Sequence, residues 1–283
     1  MNNQSVYERI TRRILGKLQS GVIPWKATWR GAGLPLNAVS KKPYRGVNIL
    51  MLASEQYDSP FWMTYKQARE LGGCVRSGEN GVPVIFWKWL ERVEEETGDK
   101  IKIPLLKHYI VFNALQCDGL NLEGRGEVGT GIDSCDEIVS SYLSREPGLT
   151  LQNTKSYPFY LPATDLVNVP AITSFESAED YYNTLFHELT HSTGHRDRLD
   201  RGLSKPSGFA SEKYSKEELV AELGASFLSG IAGIENQTIE DSAGYIWGWM
   251  RALEKDSTLL VHAGAQAQRA VDYILKGSIE DKD

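Results

Sequence analysis

The sequence predicts an α+β protein with two domains: an N-terminal α+β domain and a C-terminal, mostly helical domain with a small sheet. In the first half, an amphipathic helical pattern precedes segments rich in β-branched and aromatic residues, whereas most periodic segments of the second half are helical. The stretch 118–134 between them is polar and contains five glycines, a composition typical of a domain boundary. We therefore expect domains at residues 1–130 and 131–283, and we expect the first to fold alone around its own core.

The elements of the first domain follow from periodicity, capping residues and turn residues. Thr64 followed three residues later by Gln67 is a capping box, which predicts a helix that stops before Gly72-Gly73. The turn Thr97-Gly98 separates two segments rich in β-branched and aromatic residues and predicts a hairpin. The predicted elements are helices over 5–20 and 64–71 and strands over 82–89 and 101–112.

Capping residues mark the main helices of the second domain. Ser177 with Asp180 predicts the start of a helix that runs through His191, and Ser215 with Glu218 predicts the start of the next one. Short strands punctuated by prolines are expected within residues 149–168. The predicted helices cover residues 134–145, 177–194, 215–231, 239–254 and 258–275.

Charge is divided unevenly between the two halves. Residues 1–90 contain 13 Lys and Arg against 5 Asp and Glu, whereas residues 131–283 contain 13 against 24. This asymmetry indicates that the first half alone faces a polyanion, although a solvated surface would have the same composition.

Several features predict a cytoplasmic protein with no membrane partner. The first residues are amphipathic and lack the continuous apolar stretch of a signal peptide. No run approaches the roughly 18 apolar residues that a membrane span requires. The three cysteines are far apart, which argues against a disulfide framework and suits a reducing compartment.

The segment His187-Glu188-Leu189-Thr190-His191 is an HExxH motif on a predicted helix. A spacing of four residues puts both imidazoles on one helix face, so that two nitrogens can reach one metal ion. Glu188 lies beside the first ligand, where its carboxylate can take a proton from a metal-bound water. The motif therefore predicts a zinc metallopeptidase site, with a buried, hydrogen-bonded histidine pair as the alternative.

A catalytic zinc needs a third protein ligand and one open position for water. His195 is a poor candidate, because it lies eight residues after the first histidine, about 12 Å along a continuous helix. Glu218 and Glu222 share one face of a helix that is otherwise apolar, and a carboxylate in that setting needs a partner. We favour Glu222 as the ligand, because the small residues Gly224 and Ala225 allow a close approach to the histidine helix. Glu218 is then a candidate to orient a ligand histidine.

The mechanism expected of such a site is attack of a zinc-activated water on a carbonyl, with Glu188 as the base. A donor for the developing oxyanion would complete the site. The candidates are His195, Tyr214 and Tyr245, and spacing alone does not rank them; core packing is the alternative for both tyrosines.

Aromatic and cationic residues alternate in the first 90 positions, which contain five of the seven tryptophans. Aromatic faces stack on bases while Lys and Arg follow phosphates, so this composition favours binding of single-stranded nucleic acid. The alternative is that the rings form the core of the small domain. The candidate DNA contacts are Trp25, Lys26, Trp29, Arg30, Lys42, Tyr44, Arg45, Trp62, Tyr65, Lys66 and Arg76.

Long stretches of the chain resemble the ArdC-type antirestriction proteins. In the first half these are GVIPWKATW, PLNAVSKKPYRGVNILML, FWMTYKQARELGG, VRSGENGVPVIFW and YIVFNALQCDGL. In the second half LPATDLVNVP, YYNTLFHELTHSTGHRDRL, YSKEELVAELGASFL and AGYIWGWM resemble the zincin-like metallopeptidase domain of that family. The first domain also occurs in some plasmid primases.

The resemblance implies a single-stranded-DNA-binding domain joined to a zincin-like metallopeptidase domain, in a protein that protects incoming plasmid DNA from host restriction. It implies zinc ligands at His187 and His191, a catalytic Glu188 and an acidic ligand at Glu222. A restriction-related or DNA-bound protein would be the substrate. Two alternatives remain: a non-proteolytic protein that coats single strands and has a structural or regulatory zincin domain, and an accessory module for conjugative priming.

Overall fold

The computed structural model describes residues 3–26, 33–93, 100–122, 131–203, 212–235 and 243–276. The helices are α1 Asn3–Gln19, α2 Val47–Ala53, α3 Tyr65–Glu70, α4 Ile132–Arg145, α5 Ala178–Ser192, α6 Glu212–Ala232, α7 Ala243–Lys255 and α8 Leu259–Lys276. The strands are β1 Leu36–Asn37, β2 Phe61–Thr64, β3 Cys74–Val75, β4 Val82–Val93, β5 Lys100–Asn113, β6 Cys117–Asp118, β7 Thr150–Gln152, β8 Phe159–Leu161 and β9 Leu166–Asn168. Two domains result, as the sequence predicts, and the α+β class is confirmed.

A four-stranded sheet in the order β1-β2-β5-β4 forms the centre of the N-terminal domain. The predicted hairpin is present, since β4 and β5 pair in antiparallel register from Val82 opposite Val111 to Val93 opposite Lys100. Its turn, which includes Thr97-Gly98, lies outside the described residues. The capping box before α3 is confirmed, because the hydroxyl of Thr64 accepts from the Gln67 amide and the Gln67 side chain accepts from the Thr64 amide.

The C-terminal domain packs α5 against α6 and α6 against α8, with the small sheet β7-β9-β8 beside α5. Ser177 caps α5 as predicted, because its hydroxyl accepts from the backbone N–H of Asp180 at 3.0 Å. The expected start of the next helix was wrong. The chain is already helical from Glu212, so Ser215 lies inside the first turn of α6 and not at its N-cap.

One large hydrophobic core joins the two domains, and a smaller cluster around Ala38, Phe61, Met63 and Ala68 belongs to the N-terminal domain alone. The core expected within residues 1–130 is therefore present only as this smaller cluster, and the larger core is shared. The apolar face of α1 packs against α7, and α2 packs against α8. Trp25 is fully buried and meets Trp249 of α7 edge to face, with ring centroids 6.1 Å apart. The hydroxyl of Thr11 donates to the Ser257 carbonyl at 2.8 Å. A fragment that ends at residue 130 would expose these surfaces to water.

Two glycines form a close backbone contact between the domains. Gly46, at the start of α2, has a φ of 56°, a conformation that other residues rarely adopt. A Cβ atom at Gly264 of α8 would lie 2.8 Å from the backbone nitrogen of Val47. The backbones of α2 and α8 therefore touch at a point with no room for a side chain.

No helix in the described part of the chain combines the length and the apolar composition needed to cross a membrane.

Candidate metal centre and nucleic-acid surface

The two helices of the metal site approach closely because a glycine faces a threonine. A Cβ atom at Gly224 of α6 would lie 2.6 Å from the hydroxyl oxygen of Thr190 on α5. That hydroxyl donates to the Phe186 carbonyl at 2.7 Å, which satisfies it inside the contact. The predicted role of Gly224 in a close approach is confirmed.

Three side chains converge at the contact of α5 and α6. The Nε2 atoms of His187 and His191 lie 3.1 Å apart, as expected for an i, i+4 pair on one helix face. Each Nε2 atom lies 3.5 Å from a carboxylate oxygen of Glu218. In the described part of the chain these residues form one group whose ligand atoms all lie within 4.8 Å of one another. The group is suited to a divalent metal ion.

The third member of the group is Glu218, whereas the sequence favoured Glu222. The two glutamates share a helix face but are one turn apart, so only one of them lies level with both imidazoles. Glu222 is hydrogen-bonded instead to the Tyr245 hydroxyl, and its carboxylate also interacts with the charge of His187. The geometry therefore favours Glu218 over Glu222 as the third metal ligand, with Glu222 bonded to Tyr245.

Glu217 and Arg201 belong to the site, and the sequence analysis missed both. A Glu217 oxygen lies 3.2 Å from Nδ1 of His191, on the side of the ring opposite the metal group. Arg201 holds this carboxylate with two hydrogen bonds, of 2.9 and 2.7 Å, and also donates to the carbonyl of Thr190 at 2.8 Å. A carboxylate on the second nitrogen fixes the orientation of a ligand histidine. One feature of the sequence could have indicated Glu217, namely its position next to Glu218. Neighbouring helical side chains point only about 100° apart, so both carboxylates can face the same histidine helix.

The electrostatics of the centre favour positive charge. Burial disfavours a charged His191, but hydrogen bonds and charge from Glu217 and Glu218 outweigh burial and raise its pKa to about 10. Burial also acts on Glu218, yet its bonds to His187 and His191 hold its pKa well below the usual range. A potential that stabilises a proton at this point also stabilises a divalent cation.

Glu188 is almost fully buried beside the metal group, with 6% of its surface exposed. Burial raises its pKa, and the nearby charges of His187 and His191 act in the opposite direction. A carboxylate with a raised pKa is a better proton acceptor than an exposed one. Glu188 therefore lies close enough to the metal group for its charge to interact with both histidines, and burial favours its protonated form.

Of the candidate oxyanion donors, Tyr245 lies beside the centre. Its hydroxyl is bonded to Glu222 and accepts from the indole nitrogen of Trp25 at 3.2 Å. His195 lies in the turn after α5, where its Nδ1 is 3.3 Å from the backbone nitrogen of Asp197, so it lies outside the metal group. The side chain of Tyr214 lies outside the described residues.

A buried ion network supports the turn that follows α5. Arg198 binds Asp165 through two hydrogen bonds, of 2.6 and 2.9 Å, and Glu146 at 2.8 Å, with only 3% of its side chain exposed. It also donates to the carbonyl of Ser192, the last residue of α5. The helix that carries both histidines is thereby anchored at its C-terminal end.

The structure separates the predicted DNA contacts into buried and exposed residues. Trp25 and Trp62 have 0% and 2% of their surfaces exposed, so neither ring can stack on a base, and both assignments are corrected. Tyr44 is also buried, at 5% exposed, and its ring face is not free for stacking. These aromatics belong to the hydrophobic core, where Trp25 packs against Trp249, Trp62 against Tyr57 and Tyr44 against Phe86.

The remaining candidates are exposed or lie outside the described residues. Lys42, Arg45, Tyr65, Lys66 and Arg76 are exposed. Arg76 is already paired, with Glu79 at 2.9 Å and Asp118 at 3.4 Å. Trp29, Arg30 and the side chain of Lys26 lie outside the described residues.

Comparison with known proteins identifies both domains. Residues 4–112 match the family described as the N-terminal domain of anti-restriction factor ArdC, and residues 140–266 match the zincin-like metallopeptidase family. Two proteins of Escherichia coli named DNA primase TraC are 35% and 33% identical over 95% of this chain. The chain covers only 27% and 20% of their lengths. An uncharacterised protein of Sinorhizobium fredii, y4eC, is 31% identical, with 95% of this chain and 91% of that protein covered.

Two crystal structures of antirestriction protein ArdC from plasmid R388 share the whole fold. The metal-free structure has a TM-score of 0.77 and 37% sequence identity, covering 95% of this chain and 96% of that one. The Mn(II)-bound structure has a TM-score of 0.76 and 35% identity, covering 98% and 99%. The fold, both domains and their order agree, and the chain belongs to the ArdC family of antirestriction proteins.

Proposed function

We propose that this protein binds single-stranded DNA and cleaves a protein bound to or near that DNA, using a zinc-dependent peptidase site, and that it thereby protects incoming plasmid DNA from restriction. The observation that carries the peptidase half is the convergence of His187, His191 and Glu218 beside the buried carboxylate of Glu188. A metal held only for structure would not need an acid at that position.

The donor set fits zinc. Two imidazole nitrogens and one carboxylate oxygen are the protein ligands of many catalytic zinc sites, which keep a fourth position open. His187, His191 and Glu218 would hold the ion, with Glu217 fixing the ring of His191. Bound zinc would supply a water of lowered pKa and would polarise the peptide carbonyl.

The protein's own residues would manage the protons and the developing charge. Glu188 accepts a proton at its carboxylate and can return it to the leaving amine. The Tyr245 hydroxyl accepts from Trp25 and gives its one proton to Glu222; turned from Glu222 to the substrate, that proton would stabilise an oxyanion. With 6% of Glu188 exposed, its carboxylate is shielded from most of the bulk solvent.

The test is proteolysis by the purified chain loaded with zinc. Candidate restriction enzymes and other DNA-bound proteins are incubated with wild type and Glu188→Gln, with and without single-stranded DNA. We expect cleavage by wild type, stimulated by the DNA, and none by the variant, which should keep its metal. Equal protection of DNA from restriction by both proteins, without any cleavage, would favour the single-strand-coating protein.

The likeness to the two TraC primases favours a second candidate, a module that recruits a priming enzyme to single strands. This role predicts that the chain raises primer synthesis by a primase added separately on a single-stranded template. The Glu188→Gln variant should stimulate as well as wild type, because priming does not use the peptidase site.

A further inference from the structure

A groove of about 750 Å³ lies between the N-terminal domain and α8. One wall is the segment from β1 to α2, which includes Lys42 and Arg45, and the other wall is α8, with Gln268 and Arg269. Phe86 of β4 lies at its edge. The groove is separate from the metal group, and it needs both domains to exist.

The groove combines an apolar floor with cations at its rim. Val47, Ile85 and Val261 line it and are buried, so the floor offers apolar surface from three different elements. Lys42 and Arg269 are exposed at its edges. A volume of this size and an apolar floor with a few polar groups are typical of sites for small organic ligands.

The aromatic and amide groups favour a nucleobase as the occupant. Phe86 has 45% of its surface exposed, although it lies beside the rings of Tyr44 and Tyr109. Its exposed face shares the groove with Lys42 and Arg269, and base stacking uses such a face beside cations that follow the phosphates. The amide of Asn37 lies 3.4 Å from both the Tyr44 hydroxyl and the Gln67 oxygen. Hydrogen bonds of that length are weak, and the polar edge of a base can replace them.

We propose that this groove binds one unstacked base of single-stranded DNA, with Lys42 and Arg269 on the flanking phosphates, so that α8 of the metallopeptidase domain forms part of the DNA site. The proposal rests on the single-strand binding proposed above and adds its location. A duplex is excluded from the groove because its base faces are covered.

The test is the affinity of the full chain for a fluorescently labelled single strand, measured by anisotropy. Phe86→Ala removes the stacking face, and we expect a loss of about fivefold or more. Ala265 is exposed on α8 and lines the groove, so Ala265→Glu introduces a negative charge there without disturbing the core. We expect a loss of about tenfold from this variant.

Matched controls carry the same changes elsewhere. Trp247→Ala removes an aromatic side chain that is 58% exposed on α7, and Ser140→Glu adds a charge at an exposed position of α4. Both positions are outside the groove lining, and both variants should bind within about twofold of wild type. Circular dichroism verifies folding, and Arg269→Gln replaces any groove variant that fails to fold.

A single-stranded DNA with abasic positions distinguishes the contribution of base stacking to the affinity from the contribution of phosphate charge. Wild type should bind it more weakly than the intact strand, and Phe86→Ala should bind the two strands alike. If wild type binds the intact strand and the groove variants bind it equally well, the groove assignment is wrong while single-strand binding stands. If wild type binds no single strand, the DNA half of the proposed function fails and the groove assignment fails with it.

Discussion

The metal centre and the groove are built in opposite ways. In the metal centre, charged side chains are largely buried and each is held by another: Glu217 and His191 have 12% and 13% of their side chains exposed, Arg201 has 7%, and His187 and Glu218 have 21% and 28%. In the groove, the floor is apolar, the cations are exposed and the amides make long hydrogen bonds. The first arrangement fixes its ligand atoms in advance, and the second leaves room for adjustment.

This difference matches the two chemistries proposed. Catalysis requires atoms held within a fraction of an ångström, so a network of buried charges suits it. Binding of single strands without sequence preference requires a face for any base and cations for any phosphate. We therefore expect substitutions in the metal centre to have large effects and substitutions around the groove to have graded ones.

The largest effect is expected from Glu218→Ala. Removal of a ligand that lies 3.5 Å from both imidazoles should lower zinc affinity by about 100-fold or more. Glu222→Gln should retain zinc within a few-fold, because Glu222 bonds to Tyr245 instead. Competition with a chromophoric chelator measures both, and the reverse order would restore Glu222 as the ligand.

A smaller effect on zinc affinity is expected from Glu217→Gln, which weakens the contact that orients the ring of His191 but leaves the three ligands in place. Loss of such an orienting carboxylate typically lowers metal affinity by about 10- to 100-fold. The control is Asp197→Asn, since Asp197 is 72% exposed and pairs with His195 outside the metal group. Unchanged zinc affinity in Glu217→Gln would mean that the network behind His191 is not needed to hold it.

Trp25→Phe tests whether a hydrogen bond from the N-terminal domain contributes to the proposed peptidase activity. The change keeps an aromatic ring but removes the indole N–H that donates to Tyr245. We expect a loss of about 1 kcal/mol in the free energy of unfolding and a lower kcat with an unchanged zinc affinity. If kcat falls equally in Trp25→Phe, Tyr245→Phe and the double variant, the two residues act as a unit.

The smallest expected effect is on the pH dependence of stability. Burial works against the charge of Asp165, but bonds from Arg198 and Tyr160 outweigh it and hold the pKa of this carboxyl below its usual range. Its stabilising contribution is therefore complete above the unfolded-state pKa of about 3.9 and is lost as the pH falls towards the lower, folded-state pKa. Asp165→Asn should flatten the decline of Tm in that acidic range. An identical pH profile in wild type and variant would exclude this contribution.

The histidine pair could be predicted from sequence because helical spacing alone determines its geometry. The choice between Glu218 and Glu222 as the third ligand could not be predicted, because it depends on how far α6 is displaced along α5. That displacement is set by the contact of Gly224 with Thr190, a feature of packing and not of spacing. The same applies to Arg201, which reaches Glu217 only through a turn of the chain.

Composition was a weaker guide than spacing in the first half. Composition identifies a region rich in aromatic rings and cations, but it does not indicate which rings are buried. Trp25 is fully buried, whereas Phe86 is exposed. Burial of a ring depends on its partners, and the partner of Trp25 is Trp249, more than 200 positions later in the chain. The part of the groove that comes from α8 could not be predicted for the same reason, since α8 is also distant in sequence from the N-terminal domain. Most helices and the hairpin were predicted well because periodicity and capping are local.

The contact of Gly46 with Gly264 limits which halves of related proteins can be combined in one chain. Where two backbones touch, a neighbouring side chain cannot repack to relieve a misfit, because none takes part. A recombinant that combines the first half of one relative with the second half of another would therefore assemble only if both positions stay glycine.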